Sequence, residues 1–278
     1  MQIRRLKTEP VVVDVDDVGG TEILAVALNP LDLAVANGVF YGGHPPLPYV
    51  PGCEAVGRSD EGDLVYLFGD GRGIARDGFA AERVNANGLV LPAGTDPATA
   101  AAIGIAGVAA WVPVAWKAKV TPEDTVLVLG GTGTVGRIAA QAVRLLGARR
   151  VIAVGRSDLD RIPAEFGDDG FTVCIDPVWG EPLAGALAYA ALGARIVHVG
   201  QSAGPEAPLR SADVRGKQLT IVGHSNFALS PEERDRAYLE LLEHVTAGRI
   251  EVDFRSFALE DVAAAWDNQR GGKSVIVI

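Results

Sequence analysis

Cysteine is nearly missing: Cys53 and Cys174 are the only two in 278 residues. That count excludes a four-cysteine structural zinc site and any disulfide framework beyond one bridge, and two isolated thiols read as small buried side chains. Positive charge is short as well, with 25 Lys and Arg against 35 Asp and Glu, a formal net charge of −10. This balance argues against a nucleic-acid groove or an anionic membrane as partner. The 4 histidines, His44, His198, His224 and His244, form no Ser-His-Asp pattern, and Gly-x-Ser-x-Gly is absent. Acyl hydrolysis is disfavoured on both grounds. No apolar run is long enough to span a bilayer, since Gly104, Gly107 and Pro113 interrupt the nearest one, residues 100–114. No apolar segment of a secretory signal follows Met1-Gln2-Ile3-Arg4-Arg5. The expectation is a soluble cytoplasmic protein.

Apolar residues make up 48% of the chain, in many short runs, enough for two modest cores or one large one. The most informative run, residues 126–129, reads as a buried parallel strand. It breaks into Gly130-Gly131-Thr132-Gly133-Thr134-Val135-Gly136, then resumes at helical spacing through Ile138, Ala139, Ala142 and Val143. Gly131, Gly133 and Gly136 fit G-x-G-x-x-G in the strand–helix context that this pattern requires. In this reading Gly131 makes the tight turn. Gly133 lets a diphosphate approach the backbone, and Gly136 lets helix and strand pack closely. The candidate diphosphate contacts are therefore Gly131, Thr132, Gly133, Thr134, Val135 and Gly136, at a helix N-terminus whose N–H groups attract anions.

A second strand, residues 151–154, ends at Gly155-Arg156-Ser157, with Arg156 twenty residues beyond Gly136. An acid there would bind the ribose hydroxyls of NAD. Arg156 and Ser157 instead suit the 2′-phosphate of NADPH, the alternative being a solvated surface arginine. Strands at residues 195–199 and 219–222 end in Gly200-Gln201 and His224-Ser225, where ligands of such sheets bind.

Upstream, residues 11–15 and 21–28 read as strands around a turn at 16–20, and 53–58, 63–68 and 78–84 as strands of a β-rich unit. An Ala-rich helix over 97–116 is capped by Thr95 or Asp96. From there strands and helices alternate: helices near 158–166 and 182–191, a strand at 171–176, a helix at 230–247 and a last strand at 273–278. This is α/β alternation with a doubly wound parallel sheet.

The stretches Asn29-Pro30-Leu31-Asp32, 38–41, 47–57, 62–65, 78–82, 101–111, 126–136, 176–180 and 193–200 carry a resemblance over nearly the whole chain. The sequence resembles a medium-chain dehydrogenase/reductase of the zinc-independent quinone oxidoreductase branch. The resemblance implies a GroES-like β-rich catalytic domain over residues 1–108, completed by 249–278, and an NADP-binding Rossmann domain over 109–248. It also implies a homodimer paired through the edge strand at 219–222. The activity implied is hydride transfer from NADPH to a quinone or α,β-unsaturated carbonyl. A ketone or aldehyde reductase and a noncatalytic NADPH-binding sensor or scaffold are the alternatives. Tyr41 is the candidate proton or hydrogen-bond donor to the substrate oxygen, or else a packing residue of its loop. Asn29 matches the family residue beside the nicotinamide and the substrate carbonyl, or else makes an Asx turn ahead of Pro30.

Three departures qualify the match. Gly52-Cys53-Glu54 stands where the zinc-dependent branch has Gly-His-Glu, and that branch's Cys ligand near residues 27–32 is absent. No metal is expected, although Cys53, Glu54 and His44 leave a new site open. The run of strands before Asn29 is short. Between Phe166 and Phe171 there is room for neither the third strand of the Rossmann order nor its helix, so the sheet should have about five strands.

Overall fold

The computed structural model describes residues 1–14 and 19–278. It divides into two compact units, Met1–Ile105 with Asp253–Ile278, and Ala106–Val252. The first begins with β1 (Thr21–Ala27) and helix α1 (Pro30–Ala36). Then come β2 (Glu54–Arg58), β3 (Leu64–Phe68), the short β4 (Arg83–Val84) and β5 (Leu89–Val90), and helix α2 (Pro97–Ala102). The expected strand at residues 11–15 is reduced to a bridge between Val11 and Gln2. Val15 and turn residues 16–18 lie outside the described residues. Of the expected strand at 78–84 only the last two residues pair, because residues 78–80 bond instead to the carbonyls of Val50, Pro51 and Gly52.

The helix expected over 97–116 is broken. Asp96 caps α2 by accepting the Thr99 N–H at 2.8 Å. After α2, the Ile105 N–H turns to the buried Glu54 carboxylate, and Gly104 lies against that carboxylate and the Tyr66 ring, where a side chain has no room. Helix α3 (Ile105–Trp111) then widens into a π-helical turn (Val112–Lys117) at Pro113. Proline has no N–H to keep the α ladder, and the Ala118 N–H reaches the Pro113 carbonyl.

The second unit continues with β6 (Thr125–Leu129), α4 (Thr134–Leu145), β7 (Arg150–Val154), a 3₁₀ turn (Arg156–Arg161) and α5 (Ile162–Phe166). Next are β8 (Phe171–Asp176), α6 (Gly180–Ala186), β9 (Ala190–His198), α7 (Ser211–Gly216), β10 (Thr220–Gly223) and α8 (Pro231–Thr246). β6 is buried along its whole length, as its unbroken apolar run requires for a central parallel strand. The sheet has five strands in the order β10-β9-β8-β6-β7, all parallel. Among the described residues the third Rossmann strand and its helix are absent, as the short 166–171 interval predicts. The order reverses between β6 and β8, and that switch point is where such sheets bind ligands. β9 begins at Ala190, where helical spacing predicts helix, because Ala190 pairs with Phe171.

Finally β11 (Arg255–Ala258), α9 (Val262–Asn268) and β12 (Ser274–Val277) return to the first unit. β12 lies antiparallel to β1 in a seven-stranded sheet. Its return carries Lys273 inward. Lys273 is 1% exposed and Glu54 0% exposed, with Nζ 3.3 Å from Glu54 Oε1 and 2.8 Å from Asn29 Oδ1. A buried pair of this kind is costly to break singly, because the remaining charge keeps its desolvation penalty. Lys273→Met should therefore lower stability by about 3–5 kcal/mol in urea unfolding, while a Glu54→Gln/Lys273→Met double variant should recover part of the loss.

Candidate functional site

The head of α4 is built by close backbone approach. Gly130 has φ +63°, and a side chain there would run into Val178 and Pro177. The residue that makes the tight turn is thus Gly130, one position before the Gly131 that the pattern assigned. Gly131 serves a different need: a Cβ on it would sit 2.8 Å from the Cβ of Ala153 on β7. Gly136 presses directly on the Gly130 carbonyl, so no other residue fits there. Gly133 is exposed, and a Cβ on it would meet only the Gly130 carbonyl, at 3.5 Å. An anionic group can therefore reach the backbone at that point. Thr134, Val135 and Gly136 are the first-turn residues of a twelve-residue helix, and their N–H groups have no intrahelical carbonyl to bond. Thr132 is exposed beside them. This cradle fits a dinucleotide diphosphate.

At the end of β7, Arg156 and Ser157 are exposed. Arg156 forms no ion pair among the described residues. The nearest acid, Asp158, has no part in the sequence pattern. Its carboxylate accepts the Gly155 N–H at 3.4 Å and the Ser157 hydroxyl at 3.2 Å. Local capping thus occupies Asp158, while the Arg156 guanidinium is left to the solvent.

Along the same edge of the sheet, a side chain on Gly200 would crowd the Pro177 carbonyl at 3.0 Å, and Gln201 is exposed. The His224 N–H donates to the His198 carbonyl at 2.8 Å, tying the ends of β10 and β9 together. His224 is 8% exposed; its Nε2 lies 2.8 Å from Asn226 Oδ1, and its Nδ1 is buried without a partner. Burial, set against the Asn226 hydrogen bond and reinforced by Lys117, pulls the imidazole down to about 4. It is neutral near pH 7 and presents Nδ1 as an acceptor. Ser225 is less available, because its hydroxyl accepts the Phe227 N–H at 3.3 Å and caps a 3₁₀ turn.

In the first unit, Asn29 is buried and committed at both ends of its amide. Nδ2 donates to Glu54 Oε1 at 2.8 Å, and Oδ1 accepts from Lys273. The Asx turn weighed from the sequence is not made by Asn29. Asp32 Oδ2 accepts the Asn29 N–H at 2.8 Å, and Oδ1 accepts the Cys53 N–H at 2.9 Å. Burial raises the pKa of Asp32 and pushes the Cys53 thiol well up, with the Asp32 charge adding to it, so Cys53 is a neutral thiol. Tyr41 is the contrast: it is 83% exposed, with its ring 4.4 Å from that of Phe40. His44 Nδ1 lies 2.7 Å from the Pro45 carbonyl. Among the described residues no group of three or more His, Cys, Asp or Glu side chains is placed to hold a metal ion, and no helix is long and apolar enough to cross a membrane.

A reduced Rossmann sheet with a glycine-built first turn, in one chain with a largely antiparallel GroES-like unit, defines a dinucleotide-dependent dehydrogenase/reductase architecture. Comparison with known proteins narrows this. The chain is 26% identical over 277 residues to human quinone oxidoreductase, covering 89% of this chain and 83% of that protein. It is 27% identical over 290 residues to a phenolphthiocerol/phthiocerol polyketide synthase polypeptide of Mycobacterium tuberculosis, covering 90% of this chain. The chain spans 13% of that polypeptide's length. Among solved structures, an NAD-dependent alcohol dehydrogenase superposes with a TM-score of 0.84 at 25% identity, over 100% of this chain and 98% of the other. The Thermus thermophilus quinone oxidoreductase shares the fold with a TM-score of 0.78 at 23% identity, over 100% and 99%. No family model matches the chain. In sequence the chain is similar to quinone oxidoreductases, and in fold to an NAD-dependent alcohol dehydrogenase.

The depressed pKa of His224 links stability to pH. Between its unfolded value of 6.5 and its folded value of about 4, the unfolded chain binds the extra proton. Stability is therefore full above that window and falls as pH drops through it, by up to about 3 kcal/mol. Urea midpoints at stepped pH should fall less steeply across the window for His224→Gln than for the wild type.

Proposed function

We propose that the chain is an NADPH-dependent oxidoreductase that reduces a quinone or an α,β-unsaturated carbonyl. The observation that carries this reading is the bare backbone at Gly133 and the head of α4, with an unpaired guanidinium at the end of the adjacent strand. The names of relatives support it: the human and rat proteins are quinone oxidoreductases, and the Thermus thermophilus enzyme was solved in complex with NADPH. Gly131 to Gly136 hold the diphosphate, Arg156 and Ser157 the 2′-phosphate, and Gly200, Gln201, His224 and Ser225 line the carboxyl ends of the strands. When bound, the cofactor supplies the hydride. The protein's own contribution is position and a donor for the charge that grows on the acceptor oxygen.

Tyr41 is assigned that donor role, since its hydroxyl is open to solvent. Asn29 acts through the loop it anchors, because both ends of its amide are already used. The branch is assigned as zinc-independent on the donor set. The Cys53 thiol is neutral and buried, and Glu54 is consumed by Asn29, Tyr66, Ile105 and Lys273. A homodimer is proposed through β10. It is an edge strand with Thr220 and Val222 exposed, and a second copy can extend it.

Steady-state oxidation of NADPH with quinone and enone panels tests the assignment. Arg156→Ala should raise the KM for NADPH by about tenfold or more while leaving NADH use nearly unchanged. Equal losses with both cofactors would remove the 2′-phosphate role. Tyr41→Phe should lower kcat with KM for NADPH unchanged, by about tenfold or more. An unchanged kcat would return Tyr41 to a packing role, and turnover of simple ketones alone would move the chain to the ketone reductases.

A further inference from the structure

Asp176 and His198 are register partners at the carboxyl ends of β8 and β9. Asp176 is fully buried. Its Oδ1 accepts the N–H groups of Val178 and Trp179 at 3.0 and 2.8 Å, which fixes the carboxylate plane. Its Oδ2 lies 3.2 Å from His198 Nδ1. An ionised carboxylate only accepts, so in the neutral ring Nδ1 carries the proton and Nε2 is the free acceptor. Nε2 has no protein partner among the described residues, and the His198 side chain is 27% exposed. The Trp179 ring backs the imidazole at a centroid distance of 4.2 Å. Trp179 itself stands at φ +59°, a conformation that strains a bulky residue and that surroundings must enforce.

The turn that holds this group touches the glycine cradle, since a side chain on Gly130 would meet Val178 and Pro177. Arg156 marks the opposite side of the cradle, on β7. A dinucleotide with its adenosine half at β7 and its diphosphate at α4 therefore sends its other ribose toward β8 and β9. We infer that His198 is a cofactor-contacting residue, whose Nε2 accepts a hydrogen bond from a hydroxyl of the nicotinamide-side ribose. Asp176 is its positioning residue and Trp179 the wall that holds the ring. This assignment rests on the dinucleotide reading above and extends it to residues with no part in the glycine pattern.

Calorimetric titration with two ligands separates the two ideas. NADPH carries both halves of the dinucleotide, whereas adenosine 2′,5′-bisphosphate carries only the half assigned to β7 and α4. His198→Phe should weaken NADPH by about five- to tenfold, the worth of one hydrogen bond, and leave adenosine 2′,5′-bisphosphate unchanged. His198→Gln, whose amide oxygen can accept in its place, should bind both ligands close to wild-type strength. If His198→Phe does not fold, His198→Leu carries the same expectation. Equal weakening of both ligands, or no weakening of NADPH, overturns the role given to His198 while leaving the dinucleotide reading standing. Failure of both ligands to bind the wild type removes that reading and this inference with it.

Discussion

Strand β6 and helix α4 meet with no side chain between them, and the second unit is arranged around that contact. Gly136 sits on the Gly130 carbonyl, and Gly131 on Ala153 of β7. Any Cβ at these positions would push the helix off the sheet. The contact aims the head of α4 at the switch point and leaves Gly133 as the open position. It also sets the floor for the turn after β8, which packs on Gly130. The bare backbone at the head of α4, the placement of Arg156 and the orientation of His198 all follow from one strand–helix approach that only glycine allows.

The first unit is organised by buried charge. Asp32 and Glu54 are both removed from water, and both have their oxygens engaged. Glu54 draws together α1, β2, β3, the end of α2 and, through Lys273, the returning C-terminal segment. Such a network is costly unless every member is satisfied, and here nearly every one is. The exception among the described residues of this unit is the Tyr49 hydroxyl, buried without a partner. Asn29 belongs to this framework, whereas Tyr41 stands outside it on a Pro- and Gly-rich loop. The unit thus separates residues that hold from residues free to contact a small molecule.

Several elements are legible in the sequence because their signals are local. The unbroken apolar run of β6, the Ser230-Pro231 start of α8 and the short interval before Phe171 each state their structure within a few residues. Other features depend on distant partners and carry no local mark. The break after α2 is caused by Glu54, fifty-one residues away from Ile105. The early start of β9 is caused by pairing with Phe171. Helices α7 and α9 and strand β11 are short, and their periodicity is too weak to mark them. At the site, the glycine pattern locates the turn but misplaces its pivot by one residue. Asp158 escapes the pattern because its role as a cap depends on backbone geometry rather than spacing. His198 reads as a structural strand residue, since nothing in the sequence says that Asp176 lies beside it.

Residue type and local spacing were enough to specify the class of fold, the shortened sheet and the position of the glycine turn. Glycine stands where the backbone must approach, apolar runs stand where a strand is buried, and too few residues remain for another strand. Which polar groups are spent and which are free was settled by folding alone. A hydrogen bond between Asn29 and Lys273 joins residues 244 positions apart, and it turns a candidate reactive amide into a fixed strut. Availability of a side chain is a property of its neighbours in space, and chain order does not record them.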